Sequence, residues 1–417
     1  MGGFTKFMEK YLIPILTKIG EEKHLQGIRN GIILTIPFTI AGSIFLIISA
    51  LPFKGWDELI QPIWSMLRVP VNVTFGAISL IAAVGIGYNL AKVFKLDTIM
   101  GAVMSLVGFL ILQLTPEYTL STSMFGAEGL FTAIIIAVFV VEVQRFFVTR
   151  NLVIKLPENV PPAIANSFAA LIPVVFSLSF LWFVRVILHF NLSAFINTIF
   201  APAVFALNTL PGTLVYTLLV CLLWTVGIHG DSVMYAVGMP IFMQYLAANT
   251  SAFMAGEAIP YITAYGFREL FMNVGGTGAT IALVFLMLRS RDKGYKALGR
   301  ISLVPGIFEI NEPVTFGFPI VLNPLMMIPF IVTPLVLASG TYALMAFNWI
   351  ARPVASIPWT MPPIIGPYLV TGGDWRAAVW SAVSIIIAVA IYYPFFKAAE
   401  AQRLKEAEAN SEFEASA

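Results

Sequence analysis

Long apolar runs recur along this 417-residue chain and constrain its fold more than any other feature. A helix needs about 20 apolar residues to cross a bilayer core of about 30 Å, and the runs approach that length. The alternating segments of about ten residues that build transmembrane β-barrels do not occur. Charged residues make up only 11% of the sequence, whereas ordinary soluble domains contain about 25%. The sequence therefore predicts an all-α polytopic membrane protein.

About ten spans are predicted, together with an N-terminal surface helix. The first span is the apolar run 31–51, which is too long for a cleavable signal peptide and has no cleavage site after it. Ahead of it, apolar residues recur at helical spacing in 4–19, which predicts an amphipathic helix lying on the membrane surface. The other predicted spans cover residues 74–91, 98–114, 130–147, 168–190, 212–228, 233–248, 271–288, 321–347 and 376–396.

Basic residues concentrate in alternate loops, and this asymmetry predicts the topology. The positive-inside rule places these loops, and both chain termini, on the cytoplasmic side of the membrane. The basic loops fall on one side of the membrane only if segments 306–313 and 351–367 enter the membrane without crossing it. Both segments are therefore predicted re-entrant hairpins. The basic residues are Lys92, Lys95, Arg145, Arg150, Lys155, Arg289, Arg291, Lys293, Lys296, Arg300, Lys397, Arg403 and Lys405.

The proline-marked segment 155–166 is the predicted boundary between two halves of the membrane region. Residues 1–165 form the N-terminal half and residues 166–400 the C-terminal half, with the fifth span assignable to either. The polar residues 401–417 are expected to form a cytoplasmic tail that begins as a short helix and frays.

The stretch 306–319, GIFEINEPVTFGFP, carries two carboxylates inside this apolar chain, Glu309 and Glu312. Insertion scales assign an acidic residue at mid-membrane a cost of about 3 kcal/mol, so such residues face a cavity, a partner or a substrate. Gly306 and Pro313 interrupt the helix, and irregular backbone at membrane depth occurs where it is buried or lines a wet site. The stretch is therefore a predicted substrate-binding loop, with a buried ion pair as the alternative.

Asn311, Glu312 and Pro313 offer a sugar an amide donor, a carboxylate acceptor and a rigid turn. Glu309 shares a helical face with Glu312 only if a helix forms there, and otherwise it pairs with a nearby cation. His229 lies in WTVGIHGDS, next to Gly230 and two residues before Asp231. Its flanking glycines let a ligand approach the imidazole, while the alternative is a structural histidine at a helix end.

Two further features are consistent with ligand binding. The glycine-rich turn 273–280, which includes Gly276, is able to cradle an anion with backbone donors or to allow close helix packing. Trp224 and Trp359 are able to stack on the apolar face of a sugar ring or to anchor the chain at the membrane interface. No cofactor or metal site is predicted, and the net charge of +2 is dispersed, which disfavours nucleic acid as a partner.

Several ordered sequence blocks together resemble one family. The chain resembles the membrane-embedded C component (EIIC) of bacterial phosphoenolpyruvate-dependent sugar phosphotransferase systems, in the lactose, cellobiose and diacetylchitobiose branch. The blocks are KHLQGIRNGIILTIPFTIAGSIF, LPENVPPAIANSFAALIP, WTVGIHG, GGTGATIAL and GIFEINEPVTFGFPIVLNP.

This resemblance implies a homodimer of about ten spans with re-entrant hairpins, in which the N-terminal half is the scaffold and the second half carries the sugar. It also implies that a phosphocysteine on a cytoplasmic B component phosphorylates the 6-hydroxyl of a β-linked disaccharide. An A component, HPr and enzyme I act upstream. Cys221 lies within a span and no soluble domain is appended, so the B and A components are expected to be separate polypeptides.

On the family's pattern, His229 and the segment 311–313 correspond to the sugar-contacting motifs, and the chemistry of the candidate residues suggests a role for each. Glu312 is the expected contact and general base for the hydroxyl, and His229 orients that hydroxyl or offsets the charge that develops on the transferred group. The expected substrate-binding residues are Asn311, Trp224, Gly230, Trp359, Gly276 and Glu309. Two rival functions stay open: a secondary transporter that couples sugar to protons through Glu309, Glu312 and His229, and a sugar-sensing receptor. The sequence does not select among cellobiose, diacetylchitobiose and lactose.

Overall fold

The structure is a computed structural model that describes residues 22–49, 51, 55–157, 160–318 and 320–416. Within these residues the protein is all-helical, and its only extended pairing is an isolated antiparallel bridge between Leu114 and Leu120. The predicted surface helix at 4–19 lies outside the described residues.

The helices are numbered in chain order within the described ranges. The first eight are α1 (Lys23–Ile33), α2 (Ile36–Ser49), α3 (Trp56–Ile60), α4 (Trp64–Gly76), α5 (Ile78–Val93), α6 (Thr98–Leu112), α7 (Leu130–Thr149) and α8 (Pro162–Trp182). The next nine are α9 (Leu192–Leu207), α10 (Leu210–Thr225), α11 (Gly230–Ala255), α12 (Ile281–Leu288), α13 (Lys293–Ile307), α14 (Glu312–Gly317), α15 (Pro324–Ala346), α16 (Ile365–Val370) and α17 (Trp375–Ser416).

Five helical segments of the described chain are long and apolar enough to cross a membrane. They are Lys23–Ser49, Ala127–Thr149, Ile164–Ile187, Pro324–Ala346 and Trp375–Lys405. The number rises to seven if the pairs α4 with α5 and α9 with α10 each form one span. The multi-pass character is thus confirmed, whereas the total of about ten and the re-entrant hairpins stay predictions.

The described chain divides into two compact units. One comprises residues up to 206 together with 232–261, and we call it the long unit. Inside it α5 packs against α1, α6 and α7. Glycine makes the first of these contacts possible, because a Cβ on Gly31 would lie 2.3 Å from the Cα of Ile86.

The other unit comprises residues 207–231 and 262–416, and we call it the site unit. Here α12 packs against α13 as a hairpin, α12 and α15 both pack against α17, and α10 packs against α15. Asp292 caps the N-terminus of α13 by accepting the amide of Tyr295 at 2.7 Å. Every residue from 262 to 284 is buried. The predicted division of the sequence near residue 165 stays a prediction.

The structure corrects several predicted elements. A continuous span at 271–288 is wrong, because glycines interrupt the chain and only the short helix α12 forms. Within the predicted span 233–248 the helix α11 continues without a break through Gly238 and Pro240. The helices α4 and α9 were not predicted. The C-terminal residues continue α17 to Ser416 instead of forming a separate short helix.

Candidate functional site

The glycine-rich turn 273–280 is the centre of the candidate site. It follows a single π-helical turn, Arg268–Met272, and leads into α12. Gly275, Gly276 and Gly278 have φ angles of +82°, +94° and +91°. Residues other than glycine rarely adopt this left-handed region of φ. The three glycines therefore explain why the helix is interrupted at this turn.

Glu309 holds this turn from one side. Its carboxylate Oε2 accepts hydrogen bonds from the backbone amides of Gly275 at 2.6 Å and Gly276 at 2.9 Å. The side chain of Asn311 donates to the backbone carbonyl of Thr277 at 2.6 Å. A Cβ on Gly276 would lie 2.6 Å from the Cβ of Asn311. The loop between α13 and α14 therefore fits closely around the glycine turn.

Asp231 holds the same turn from another side. Its Oδ2 accepts hydrogen bonds from the indole Nε1 of Trp224 at 2.8 Å and from the hydroxyl of Thr277 at 2.7 Å. Its other carboxylate oxygen pairs with the guanidinium of Arg268. All four side chains are buried, so the charge of Asp231 is offset by Arg268 and its lone pairs are used by neutral donors.

Trp224 and His229 lie in contact at the end of α10. Their ring centroids are 4.3 Å apart and the rings are tilted by 45°. The Trp224 side chain is buried whereas His229 is exposed. A Cβ on Gly230 would lie 2.1 Å from the carbonyl oxygen of Val220, so glycine at 230 permits the chain to turn back against α10 directly after the histidine.

Glu312 begins α14, directly after Asn311, and its side chain is exposed. The two carboxylates of the loop therefore differ in environment. Glu309 is only 5% exposed and is occupied by backbone amides, whereas Glu312 remains accessible. The predicted pairing of Glu309 with a cation is replaced by pairing with two backbone donors.

The structure brings most of the predicted residues into one connected network. It contains Trp224, His229, Gly230, Gly276, Glu309 and Asn311. Trp359 is 50% exposed, and among the contacts of the described residues none joins it to this network. The described residues contain no group of three His, Cys, Asp or Glu side chains able to hold a metal ion.

Sequence reasoning missed two members of the network, Arg268 and Thr277, and noted Asp231 only as a neighbour of His229. One signal was present, because Arg268 and Glu269 are the only charged residues in the stretch 258–288. Intramembrane charges of this kind mark functional sites by default.

Comparison with known proteins decides the family. The model of the family "Phosphotransferase system, EIIC" matches residues 29–334. The chain belongs to this family. The resemblance seen in the sequence blocks is thereby confirmed.

Individual EIIC proteins are similar over nearly the whole chain. The lichenan permease IIC component of Bacillus subtilis (strain 168) is 40% identical over 435 residues, covering 97% of this chain and 96% of that protein. The cellobiose-specific EIIC component of Geobacillus stearothermophilus is 38% identical, covering 98% and 97%.

A solved structure extends the similarity to the EIIC fold. The crystal structure of the transporter ChbC, the IIC component of the N,N'-diacetylchitobiose-specific phosphotransferase system, superposes with a TM-score of 0.91. It is 39% identical and covers 96% of this chain and 99% of that chain. These relatives place the chain in the branch with lactose, cellobiose and diacetylchitobiose EIIC components.

Proposed function

We propose that this EIIC chain is the sugar permease of a phosphotransferase system and carries a β-linked disaccharide of the cellobiose, diacetylchitobiose or lactose type. It presents the 6-hydroxyl of the sugar to a phosphorylated cytoplasmic B component. The names of the relatives support this substrate class, since they are a lichenan permease component, a cellobiose-specific component and a component of the N,N'-diacetylchitobiose-specific system.

One observation carries the assignment of roles at the site. The carboxylate of Glu309 accepts hydrogen bonds from the amides of Gly275 and Gly276, whereas Glu312, three residues later, is exposed. A carboxylate that is saturated with backbone donors shapes the site, whereas an accessible one is able to accept a hydrogen bond from a substrate. We therefore assign Glu309 to the frame and Glu312 to the sugar.

In the proposed reaction Glu312 accepts a hydrogen bond from the 6-hydroxyl and takes its proton as the phosphoryl group arrives. The sulfur–phosphorus bond of the B component breaks and the oxygen–phosphorus bond of the sugar phosphate forms. His229 orients the hydroxyl or offsets negative charge on the transferred group. Phosphorylation gives the sugar a charge and thus traps it, so uptake needs no ion gradient.

The frame determines where the sugar rings lie. Trp224 is fixed by Asp231 and packs against His229, which keeps its ring in one orientation beside the exposed imidazole. Asn311 and Gly230 lie next to Glu312 and His229 in the chain and line the proposed site with them, and Trp359 is a second proposed stacking surface.

The topology completes the proposal. We place both termini and the basic loops in the cytoplasm, count about ten crossings including shorter and irregular segments, and treat 306–313 and 351–367 as re-entrant. A homodimer in the lipid membrane is the proposed assembly, as in the sequence-based expectation.

Phosphoryl transfer from a phosphorylated B component to a panel of disaccharides tests the function directly. Purified chain in lipid nanodiscs is expected to bind at least one β-linked disaccharide and to support its phosphorylation. Glu312→Gln is expected to bind sugar but to lose transfer by about 100-fold or more, because a general base typically contributes about 100- to 10,000-fold. Normal transfer by this variant would remove the base assignment.

The same preparation separates the rival functions. Sugar uptake into vesicles that contain this chain alone, abolished when the proton gradient collapses, would identify a proton-coupled transporter instead. Sugar binding without transport under either condition would identify a receptor.

A further inference from the structure

The hairpin of α12 and α13 joins the candidate site to a strongly basic turn. At one end of the hairpin, Glu309 and Asn311 bind the glycine turn that precedes α12. At the other end, residues 289–292 connect the two helices. Since α13 has 15 residues, the two ends are about 22 Å apart.

The basic turn carries five exposed cations within twelve residues. They are Arg289, Arg291, Lys293, Lys296 and Arg300. The same twelve residues contain a single carboxylate, Asp292. Among the described residues, no ion pair involves any of the five cations.

Among the described residues, two acidic side chains near the turn, Asp292 and Glu400, are already bound. Asp292 caps α13 and also pairs with Arg403 of α17 at 3.2 Å. The buried carboxylate of Glu400 accepts the hydroxyl of Ser290 at 2.6 Å, the amide of Arg291 at 2.7 Å and the ammonium of Lys397 at 2.7 Å. These contacts fix the turn against α17 and leave the five cations directed at solvent.

Local stability does not account for the charges on α13. Lys293 is the first residue of this helix and Lys296 lies in its first turn. Cations at a helix N-terminus oppose the helix dipole, so stability alone favours acidic or neutral residues there. The positive-inside rule accounts for basic residues in a cytoplasmic loop, and five of them exposed on one rigidly held turn also form a surface that suits an anionic partner.

We infer that the basic turn 289–300 is the docking surface for the phosphorylated B component. The inference rests on the proposed function, in which that partner presents a phosphocysteine with a charge of about −2. The field of the basic turn speeds the encounter with this anionic partner, and the phosphocysteine itself then reaches the candidate site at the other end of the hairpin. The turn lies at one end of α12 and α13, and the other ends of these helices form the candidate site. A partner docked on the turn therefore binds the same helices that hold the sugar.

A pair of lysine variants tests the docking surface. Lys293→Gln/Lys296→Gln removes two charges from the turn, and Lys92→Gln/Lys95→Gln removes two exposed lysines at the same spacing from the long unit. The turn variant is expected to keep its fold because the change relieves unfavourable charge at a helix N-terminus. Sugar affinity of both variants serves as the check on folding, and Arg289→Gln/Arg291→Gln is a second turn variant.

Phosphoryl transfer is measured in neutral phosphatidylcholine nanodiscs while the concentration of phosphorylated B component is varied. Both turn variants are expected to raise KM for the B component by about tenfold with kcat unchanged, and to weaken its dependence on salt. The Lys92/Lys95 control is expected to match the wild type. An unchanged KM in the turn variants, or an equal rise in the control, overturns the inference.

Two further outcomes are distinguishable. An effect that occurs only when anionic phosphatidylglycerol is present means that the turn binds lipid headgroups, and this also overturns the inference. Absence of transfer by the wild-type chain refutes the proposed function, and direct titration of the B component onto the chain then decides docking by itself. Loss of that binding in the turn variants alone supports the docking surface.

Discussion

The indole Nε1 of Trp224 donates a hydrogen bond of 2.8 Å to the carboxylate of Asp231, and both side chains are buried. Asp231 also pairs with Arg268, so one carboxylate links the end of α10 to the π-helical turn. Breaking a buried ion pair by removing one partner costs about 3 to 5 kcal/mol.

Asp231→Asn is therefore expected to lower stability by about 3 kcal/mol, because Arg268 loses this compensating charge. Trp224→Phe keeps an aromatic ring and loses only the donor, so we expect a loss of about 1 kcal/mol. Thermal unfolding in detergent compares the two variants. Equal stability of Asp231→Asn and wild type would show that the ion pair contributes nothing to the frame.

Gly276→Ala is expected to destabilise the site by more than backbone strain alone. Its φ of +94° is unfavourable for alanine, and the new Cβ would lie 2.6 Å from Asn311 and 2.9 Å from the carbonyl of Glu309. Gly256 is a matched control, since it has a φ of +73° and no atom within 4 Å of a Cβ.

Gly256→Ala should therefore show only the strain of a left-handed residue, about 1 to 2 kcal/mol. The difference between the two variants in free energy of unfolding, measured by thermal or denaturant unfolding, isolates the steric contact at the glycine turn. Sugar affinity should fall in Gly276→Ala and stay unchanged in the control. Equal effects of the two substitutions would contradict the close fit around residue 276.

The membrane class, most long helices and six residues of the site network were predictable from sequence because they depend on local pattern. The apolar runs predicted the helices α7, α8 and α15 and the membrane part of α17. Glycines and an intramembrane carboxylate pointed to the segments that form the site.

The contacts within the site were not predicted, because they join residues that lie far apart in the sequence. Asp231 and Thr277 are 46 residues apart and Glu309 is 34 residues from Gly275, so no local period relates them. The error at 271–288 has a different cause. Hydropathy alone favoured a continuous helix there, although three positive φ angles at glycines prevent it.

The two carboxylates of the loop are expected to respond differently to substitution. Glu309→Ala leaves two buried backbone donors unsatisfied and is expected to lower stability by about 2 to 6 kcal/mol, because each such donor costs about 1 to 3 kcal/mol. Glu309→Gln keeps an oxygen acceptor and is expected to lose less. Because the Glu312 side chain is exposed, Glu312→Gln should change stability by less than about 0.5 kcal/mol.

Unfolding and phosphoryl transfer measured on the same three proteins separate the roles. The expected pattern is loss of stability for Glu309 variants and loss of transfer with normal stability for Glu312→Gln. The reverse pattern would exchange the assignment of frame and reactive carboxylate.

Close packing of α1 on α5 in the long unit makes Gly31 sensitive to substitution. A Cβ at this position would meet the backbone of Ile86 at 2.3 Å, so Gly31→Ala must separate the helices and is expected to lower stability by about 1 to 3 kcal/mol. Gly76, at the end of α4, has no atom within 4 Å of its Cβ position. Gly76→Ala is expected to be neutral or to stabilise by up to about 1 kcal/mol, because alanine favours helix. Thermal unfolding of both variants tests the contact, and a Gly31→Ala protein as stable as Gly76→Ala would show that the two helices are not held this closely.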